Sequence, residues 1–370
     1  MANGILSTKF WRAHLRKLDW WLLGSSFFLS LFGLVAIYSA SLRKQDFFNF
    51  EKQVVFLAIG LVLVFLISVF DYHVLKSNSY LILAFYILCV LILVGAFFFT
   101  PIIRGKRGWY KIGSLSFDSI EPAKIALVMM LAKYFSMRHA EMYRFWHIVL
   151  SGIYVLIPSL LIFLQPEMGS VLILLIVWIS ILFISGIKMK HFLILCLCAL
   201  IVLSLSWGFI LRDYQRERII NFVSPKDPLG GSWSQNQAKI AIGSGGIWGK
   251  GLGNGTQTQY GFLPEPHTDF IFSVIAEEFG LVGVSALFFL YSILIWRTIK
   301  IAVRSRSNFP RLFAAGFSVI INAQIFINVG MNVGLLPVIG IYLPLVSYGG
   351  SGLLGTLIGI GVLESIKSKT

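Results

Sequence analysis

Ten apolar stretches, most of them long enough to cross a bilayer, constrain this 370-residue chain more than any other feature. They fall at about 20–41, 53–70, 78–99, 122–136, 147–164, 170–187, 192–211, 270–296, 312–333 and 350–366. At 1.5 Å per residue most reach across roughly 30 Å of hydrocarbon. Only 13% of residues are charged and 57% are hydrophobic, against about 25% charged in a soluble domain. The pattern predicts an all-α polytopic membrane protein of about ten transmembrane helices, because a helix satisfies its own backbone in lipid. Residues 1–370 read as a single integral membrane domain, with tails at 1–18 and 367–370. The fourth span opens at Pro122, is short and moderately polar, and is expected to lie among other helices. The first span is long and no small-residue cleavage site follows it, so no cleavable signal peptide is expected.

Lys and Arg in short loops set orientation. With the N-terminus inside, cytoplasmic segments hold 17 such residues, including Arg16, Lys17, Arg297, Lys367 and Lys369, while the short outside loops hold seven. Both termini are therefore expected in the cytoplasm. Much of the net charge of +15 is this bias, with no single-faced basic domain, so no nucleic acid partner is implied. The remainder lies in outside loops, at 104–111 and 212–250, where it could meet an anionic lipid head group or a pyrophosphate. Cys89, Cys196 and Cys198 fall within spans and suggest neither a disulfide framework nor a metal cluster.

Three outside segments interrupt the tight turns. Residues 100–121 are basic and Gly-rich. Residues 212–268 form a large extracytoplasmic loop between spans 7 and 8, with a short surface helix expected at its Arg/Glu-rich start. Residues 334–351, between spans 9 and 10, are apolar and uncharged, yet Pro337, Pro344 and several Gly forbid one continuous helix. Non-helical backbone at membrane depth survives only where protein or a water-filled cavity satisfies it. A re-entrant or plugging loop is expected there.

Ionisable groups gather where the large loop meets span 8. Asp269 and Glu277 are eight residues apart, which on one helix places them on roughly one face with Glu277 about 12 Å deeper. An acidic helix cap explains Asp269 alone; an acid at the surface with others buried below it also fits an active site at the membrane face. Glu121 and Lys124 have the spacing of an intrahelical ion pair, and inside a span they are also functional candidates. Glu167, in the turn Gln165 to Gly169, has no partner nearby in sequence. The run from Gly243 to Gly251 resembles a phosphate loop but fails the pattern, since Gly251 stands where Ser or Thr is required. The six His lack metal-ligand spacing, and no Ser-His-Asp arrangement can be argued.

Taken together, Asp213 to Arg218, Gln237 to Gly246, Gly249-Lys-Gly251 with Gly255-Thr-Gln-Thr-Gln259, Phe262 to Asp269, and Pro344 to Ser351 resemble the SEDS family (shape, elongation, division and sporulation) of bacterial membrane proteins. The family polymerises cell-wall glycan from lipid II. Gly249 to Gly251, Gly255 to Gln259, Asn328-Val-Gly-Met331 and Pro344 to Tyr348 are similar to its rod-shape elongation branch, RodA-like, more than to the division branch. The resemblance implies that Asp269 is the essential outside carboxylate and that Trp109, Glu121 and Lys124 line a cavity. It also marks Glu167, His267 and Ser347 as cavity or substrate positions. The family's Gln-Pro-Ser-Glu appears here as Asp118-Ser-Ile-Glu121-Pro122, its Gln-Pro-Asp turn carries Glu167, and the usual Arg before Trp109 is Gly108, with Arg107 one residue earlier.

The implied reaction is inverting glycosyl transfer, with lipid II and the nascent glycan as substrates. Asp269 would accept the proton of the attacking sugar hydroxyl. Lys124, Arg216, Arg218 and Lys239 would stabilise the leaving pyrophosphate, or a divalent cation, Mg or Mn, held by carboxylates such as Asp269 and Glu167. No organic cofactor is called for. The expected partners are a class B penicillin-binding protein, the transpeptidase, and other elongation-complex membrane proteins. The expected location is the bacterial cytoplasmic (inner) membrane, with the active site facing the extracytoplasmic side. A transporter or flippase of the lipid-linked precursor is the rival reading, because intramembrane Glu277, Glu278 and Lys124 and broken helices suit it too. A scaffolding subunit would leave Asp269 without a role.

Overall fold

The protein, seen in a computed structural model, is described at residues 8–42, 45–101, 108–113, 115–138, 145–209, 213–224 and 232–369; Arg107 lies outside these. Helices α1 (Thr8–Lys17), α2 (Trp20–Leu42), α3 (Phe48–Val69), α4 (Tyr72–Ser77) and α5 (Ser79–Phe99) lead to strands β1 (Trp109–Ile112) and β2 (Leu115–Asp118). Helices α6 (Ile120–Arg138), α7 (Phe145–Leu164), α8 (Met168–Ile184) and α9 (Met189–Phe209) follow. The large polar segment holds α10 (Asp213–Val223), α11 (Trp233–Ser244) and α12 (Thr256–Gln259), and the chain ends with α13 (Ile271–Arg304), α14 (Asn308–Val333) and α15 (Gly350–Lys369). Each of the ten expected spans falls on one of these helices. Among the described residues six helices, α2, α3, α5, α7, α13 and α14, are long and apolar enough to cross a membrane.

The polytopic helical fold is as expected, with one addition. Residues 109–118 form an antiparallel hairpin in which Trp109 stands opposite Asp118 and Ile112 opposite Leu115. Gly113, at φ 62°, supplies the left-handed backbone that a tight turn needs. The Tyr110 hydroxyl donates to the Ile92 carbonyl at 2.7 Å, which ties the hairpin to α5.

Helices α6, α14 and α15 form the centre, each buried along most of its length. Lipid gives helices no hydrophobic reason to associate, so close backbone approach at small residues matters more. A Cβ at Gly316 would lie 2.9 Å from Ile181 and Val128, and one at Gly359 would lie 2.1 Å from the Phe317 ring.

Residues 335–349 are not helical, and they run through the protein with Ile341, Leu343, Leu345 and Val346 buried. Their backbone groups are satisfied by polar side chains from the helices around them. Gln235 donates to the Leu336 carbonyl at 2.7 Å, Asn328 to Ile341 at 2.7 Å and Tyr291 to Pro344 at 2.5 Å. Gln53 donates to the Ser347 carbonyl and accepts from the Gly349 amide, both at 3.2 Å. The expected re-entrant character of this segment thus has its physical basis in side-chain partners from α3, α11, α13 and α14.

Helix α13 is broken at Gly280, whose φ of 63° and ψ of −160° are not helical. The glycine-rich run before α12 fills the break with its own backbone. Amides of Lys250 and Gly251 donate to the carbonyls of Glu277 and Glu278 at 3.0 and 2.9 Å, and amides of Leu281 and Val282 donate to Gly246 and Ile247 at 3.0 and 3.1 Å. A Cβ at Gly249 would lie 2.1 Å from the Glu278 carbonyl oxygen, so glycine is required there by space as well as by φ.

Tyr291 is 2% exposed, and Tyr291→Phe leaves the Pro344 carbonyl unsatisfied. An unmade buried bond costs about 1–3 kcal/mol, so thermal unfolding of the purified variant in detergent is expected at a clearly lower midpoint. The exposed Tyr260→Phe is expected to unfold like the parent protein.

Candidate functional site

Asp269 sits in a turn just before α13 begins, not on the helix. The amides of Thr268 and Phe270 both donate to the Glu265 carbonyl, at 3.2 and 3.4 Å. This corrects the expectation that Asp269 and Glu277 share a helix face. The turn exists because Phe270 is buried with Ala238, Leu263 and Val274 in a small apolar cluster, which pulls the chain inward and leaves Asp269 partly exposed.

Asp269 and the two residues before it are held through their backbone carbonyls. Asn328 and Asn332, one turn apart on α14, each donate to the Asp269 carbonyl at 3.0 Å. Asn332 is itself oriented by Ser273, which donates to it at 2.6 Å. The Ser347 hydroxyl donates to the Thr268 carbonyl at 2.7 Å and accepts from the Leu343 amide at 2.8 Å. The Tyr348 amide donates to the His267 carbonyl at 2.8 Å. Ser347 and His267 therefore join the Asp269 turn to the 335–349 segment, through hydroxyl and backbone atoms.

A second cluster meets that segment at Tyr342. Lys124 and Glu121 form an ion pair at 2.7 Å with both side chains buried, and Tyr342 donates to the second Glu121 oxygen at 2.6 Å. The Lys124 ammonium stands 5.1 Å from the centre of the Tyr342 ring. Asp118 caps α6 by accepting from the Ile120 amide at 2.9 Å, and its own amide donates to Ser351 at 2.8 Å. Burial, then the negative charges of Glu121 and Glu167, push the Asp118 carboxyl up to about 7, although part of its surface stays open to solvent.

The Glu167 turn packs against the same segment: a Cβ at Gly169 would lie 2.7 Å from the Ile341 side chain. Trp109, 37% exposed, projects from the hairpin opposite Asp118. Arg218 donates to the Val338 carbonyl at 3.3 Å, and the exposed Lys239 has its side chain 3.1 Å from where a Cβ on Gly334 would stand. Arg216 is the exception, for it donates to Gly208 on α9 at 3.0 Å. Glu277 and Glu278 are structural. Glu277 accepts from Lys250, Thr256, the Gln257 amide and both donors of Thr258 at 2.8 to 3.2 Å. Glu278 accepts from Ser39 at 2.5 Å. Sequence reasoning did not assign Tyr342, Asn332 or Gln53 to the site; a hydroxyl or amide inside an otherwise apolar stretch was the available signal.

Comparison with known proteins places this geometry. A family model described as "Cell cycle protein", covering FtsW, RodA and SpoVE, matches residues 20–370. The chain belongs to this family, the SEDS proteins. It is 37% identical over 340 residues to the peptidoglycan glycosyltransferase MrdB of Escherichia coli (strain K12), covering 91% of this chain and 90% of that one. It is 34% identical over 345 residues to the stage V sporulation protein E of Bacillus subtilis (strain 168), covering 90% and 92%. Among solved structures it matches the rod shape determining protein RodA of Thermus thermophilus with a TM-score of 0.71 at 30% identity, covering 95% and 96%. It also matches, with a TM-score of 0.81 at 32% identity and coverage of 95% and 98%, a chain from work on structural coordination of polymerization and crosslinking by a peptidoglycan synthase complex. This SEDS protein is therefore a multi-pass membrane protein.

Lys124→Met strands the Glu121 carboxylate in a buried site, which costs on the order of 3–5 kcal/mol. Thermal unfolding in detergent is expected to show a large loss that the double variant Lys124→Met/Glu121→Gln largely recovers. Because Asp118 holds its proton more tightly folded than unfolded, the native state binds more protons between about pH 4 and pH 7, and stability falls as pH rises through that window. Asp118→Asn, which keeps the cap oxygen, is expected to flatten that part of the stability profile when unfolding midpoints are measured from pH 4 to pH 8.

Proposed function

We propose that this chain is a peptidoglycan glycosyltransferase that polymerises lipid II into β-1,4 glycan strands during cell elongation. It works in the bacterial inner membrane, with both termini in the cytoplasm and the Asp269 face outside. The observation that carries this reading is the fixing of Asp269: bonds to its own carbonyl and to those of Thr268 and His267 hold a partly exposed carboxylate residue in one place. A general base needs that placement before it needs anything else.

In the reaction the 4-hydroxyl oxygen of the acceptor sugar forms a bond to the anomeric carbon of the donor. The bond from that carbon to the lipid pyrophosphate breaks and carries its electron pair to the leaving group, inverting α to β. Asp269 takes the hydroxyl proton, worth about 10²–10⁴-fold. Cationic groups that border the 335–349 segment stabilise the pyrophosphate. Arg218 and Lys239 border its 334–338 end, and Lys124 lies beneath Tyr342. Trp109 and Glu167 both lie near Asp118. Arg216 donates to Gly208 on α9 instead. A divalent cation, Mg or Mn, would be held by carboxylates such as Asp269 and Glu167 together with water and substrate phosphate oxygens, since Mg needs only one or two carboxylates; among the described residues no three His, Cys, Asp or Glu side chains gather at one place. The likeness to a chain of a peptidoglycan synthase complex supports a class B penicillin-binding protein as the crosslinking partner.

Purified protein incubated with lipid II, products resolved on a gel, tests the reading. The parent protein is expected to yield long strands, and Asp269→Asn is expected to lose at least about 100-fold of that activity while unfolding at the parent temperature. Near-normal strands from Asp269→Asn remove the residue from the chemistry. Absence of strands from the parent protein, with translocation of lipid II in vesicles, makes it a transporter.

A further inference from the structure

The end of the bundle opposite Asp269 carries a cavity of about 760 Å³, formed where α1 ends, α2 begins and α15 finishes, beside the C-terminal half of α13. Five cations line it, Arg16, Lys17, Arg297, Lys367 and Lys369, against one carboxylate, Asp19. That carboxylate is already neutralised: Arg297 donates to it through Nε at 2.8 Å and through Nη2, and Asp19 is 3% exposed. Lys369 is held in place by donating to the Val69 carbonyl at 3.1 Å. Arg16, Lys17 and Lys367 form no ion pair among the described residues, and Arg16 and Lys17 are exposed. Three cations therefore face one concave space without an ion-pair partner among the described residues; Glu364, whose carboxylate feels the Lys367 charge, is buried and accepts from the Asp19 amide.

The rim of this cavity is aromatic. Trp20 is 57% and Trp21 64% exposed, and both stand at the first turn of a membrane helix. Tryptophan collects at the head-group level of a bilayer because its ring is apolar and its N–H is polar. The Trp20 N–H is bonded back to the Leu15 carbonyl at 3.1 Å, which ties the rim to α1. A soluble anion would need the cations but would gain nothing from two exposed indoles at the lipid boundary.

We propose that this cavity binds the phosphodiester head group of an anionic phospholipid, with Arg16, Lys17 and Lys367 contacting the phosphate and Trp20 and Trp21 lying against the glycerol and upper acyl region. Bound there, the lipid joins α1 and α2 to the end of α15, and so couples the two termini of the chain through its charge. The buried bond from the Asp19 amide to Glu364 at 2.9 Å already sets the spacing of α2 and α15.

Native mass spectrometry of the full-length protein in neutral detergent tests the site, with phosphatidylglycerol, phosphatidylcholine of the same chains and inorganic phosphate as probes. Phosphatidylglycerol is expected to bind in preference to phosphatidylcholine, and Arg16→Gln/Lys17→Gln/Lys367→Gln to weaken it by about tenfold or more, with no change in Arg304→Gln/Arg306→Gln. Equal binding of the two lipids, or equal loss in the control pair, overturns the site. Inorganic phosphate binding that the triple variant loses, without a lipid preference, overturns the lipid in favour of a soluble anion. Photolabelling of the parent protein with a diazirine-bearing phosphatidylglycerol needs no variant to fold: label mapped to residues 16–21 and 367–369 supports the site, and label confined elsewhere overturns it.

Discussion

The constraint on which the rest of the structure depends is the solvation of a non-helical backbone. Residues 335–349 cannot bond to themselves as a helix does, and buried N–H and C=O groups left unmade cost about 1–3 kcal/mol each. The surrounding helices answer with Gln53, Gln235, Tyr291 and Asn328, each placed on a different element and each aimed at a backbone atom of the segment. Those bonds fix the segment, and the segment fixes the site. Ser347 and Tyr348 hold the Asp269 turn, and Tyr342 holds Glu121.

The break at Gly280 is the same problem solved differently. There the missing helical partners are supplied by another stretch of backbone, from Gly246 to Gly251, which explains why a phosphate-loop lookalike carries so many glycines. The acids beside the break then serve the loop. Glu277 gathers the donors of Thr256, Gln257 and Thr258, and Glu278 takes Ser39 of α2. Intramembrane carboxylates that favoured a transporter on sequence alone thus have local structural partners. The short first part of α13, with the Asp269 turn before it, is anchored from the loop side as well as from α14.

The spans were legible because hydrocarbon demands long apolar runs, and each of the ten falls on a helix. Residues 334–351 could be read as re-entrant, since two Pro exclude one continuous helix and an apolar, uncharged run favours a buried path over an exposed connection. The Glu121–Lys124 pair could be read from its spacing. The hairpin at 109–118 could not, because four-residue strands carry too little alternation to stand out within a basic, Gly-rich segment. Extending the periodicity of α13 backward puts Asp269 on a helix face, but the burial of Phe270 turns the chain before the helix begins at Ile271. Arg216 and Arg218, two apart on α10, point to opposite sides of the helix, and only Arg218 reaches the 335–349 segment. No sequence pattern distinguishes the two before the helix is docked.

The charge balance beneath Tyr342 refines what Lys124 can do in the proposed reaction. Asp118 and Glu167 stand near the Glu121–Lys124 pair, so full ionisation would leave an excess of negative charge in a poorly solvated place. Asp118, pushed up to about 7, relieves that excess by holding a proton over much of the range below neutrality. With Asp118 neutral, the positive charge of Lys124 is matched by Glu121 and shielded by the Tyr342 ring. An approaching pyrophosphate would not meet a bare ammonium; one of its three donors is already taken by Glu121, and the group is buried. Lys124 is therefore better suited to orient Glu121, and through it Tyr342, than to carry the leaving group alone. The more exposed cations at the 334–338 end, Arg218 and Lys239, are better placed to meet a phosphate at the membrane surface.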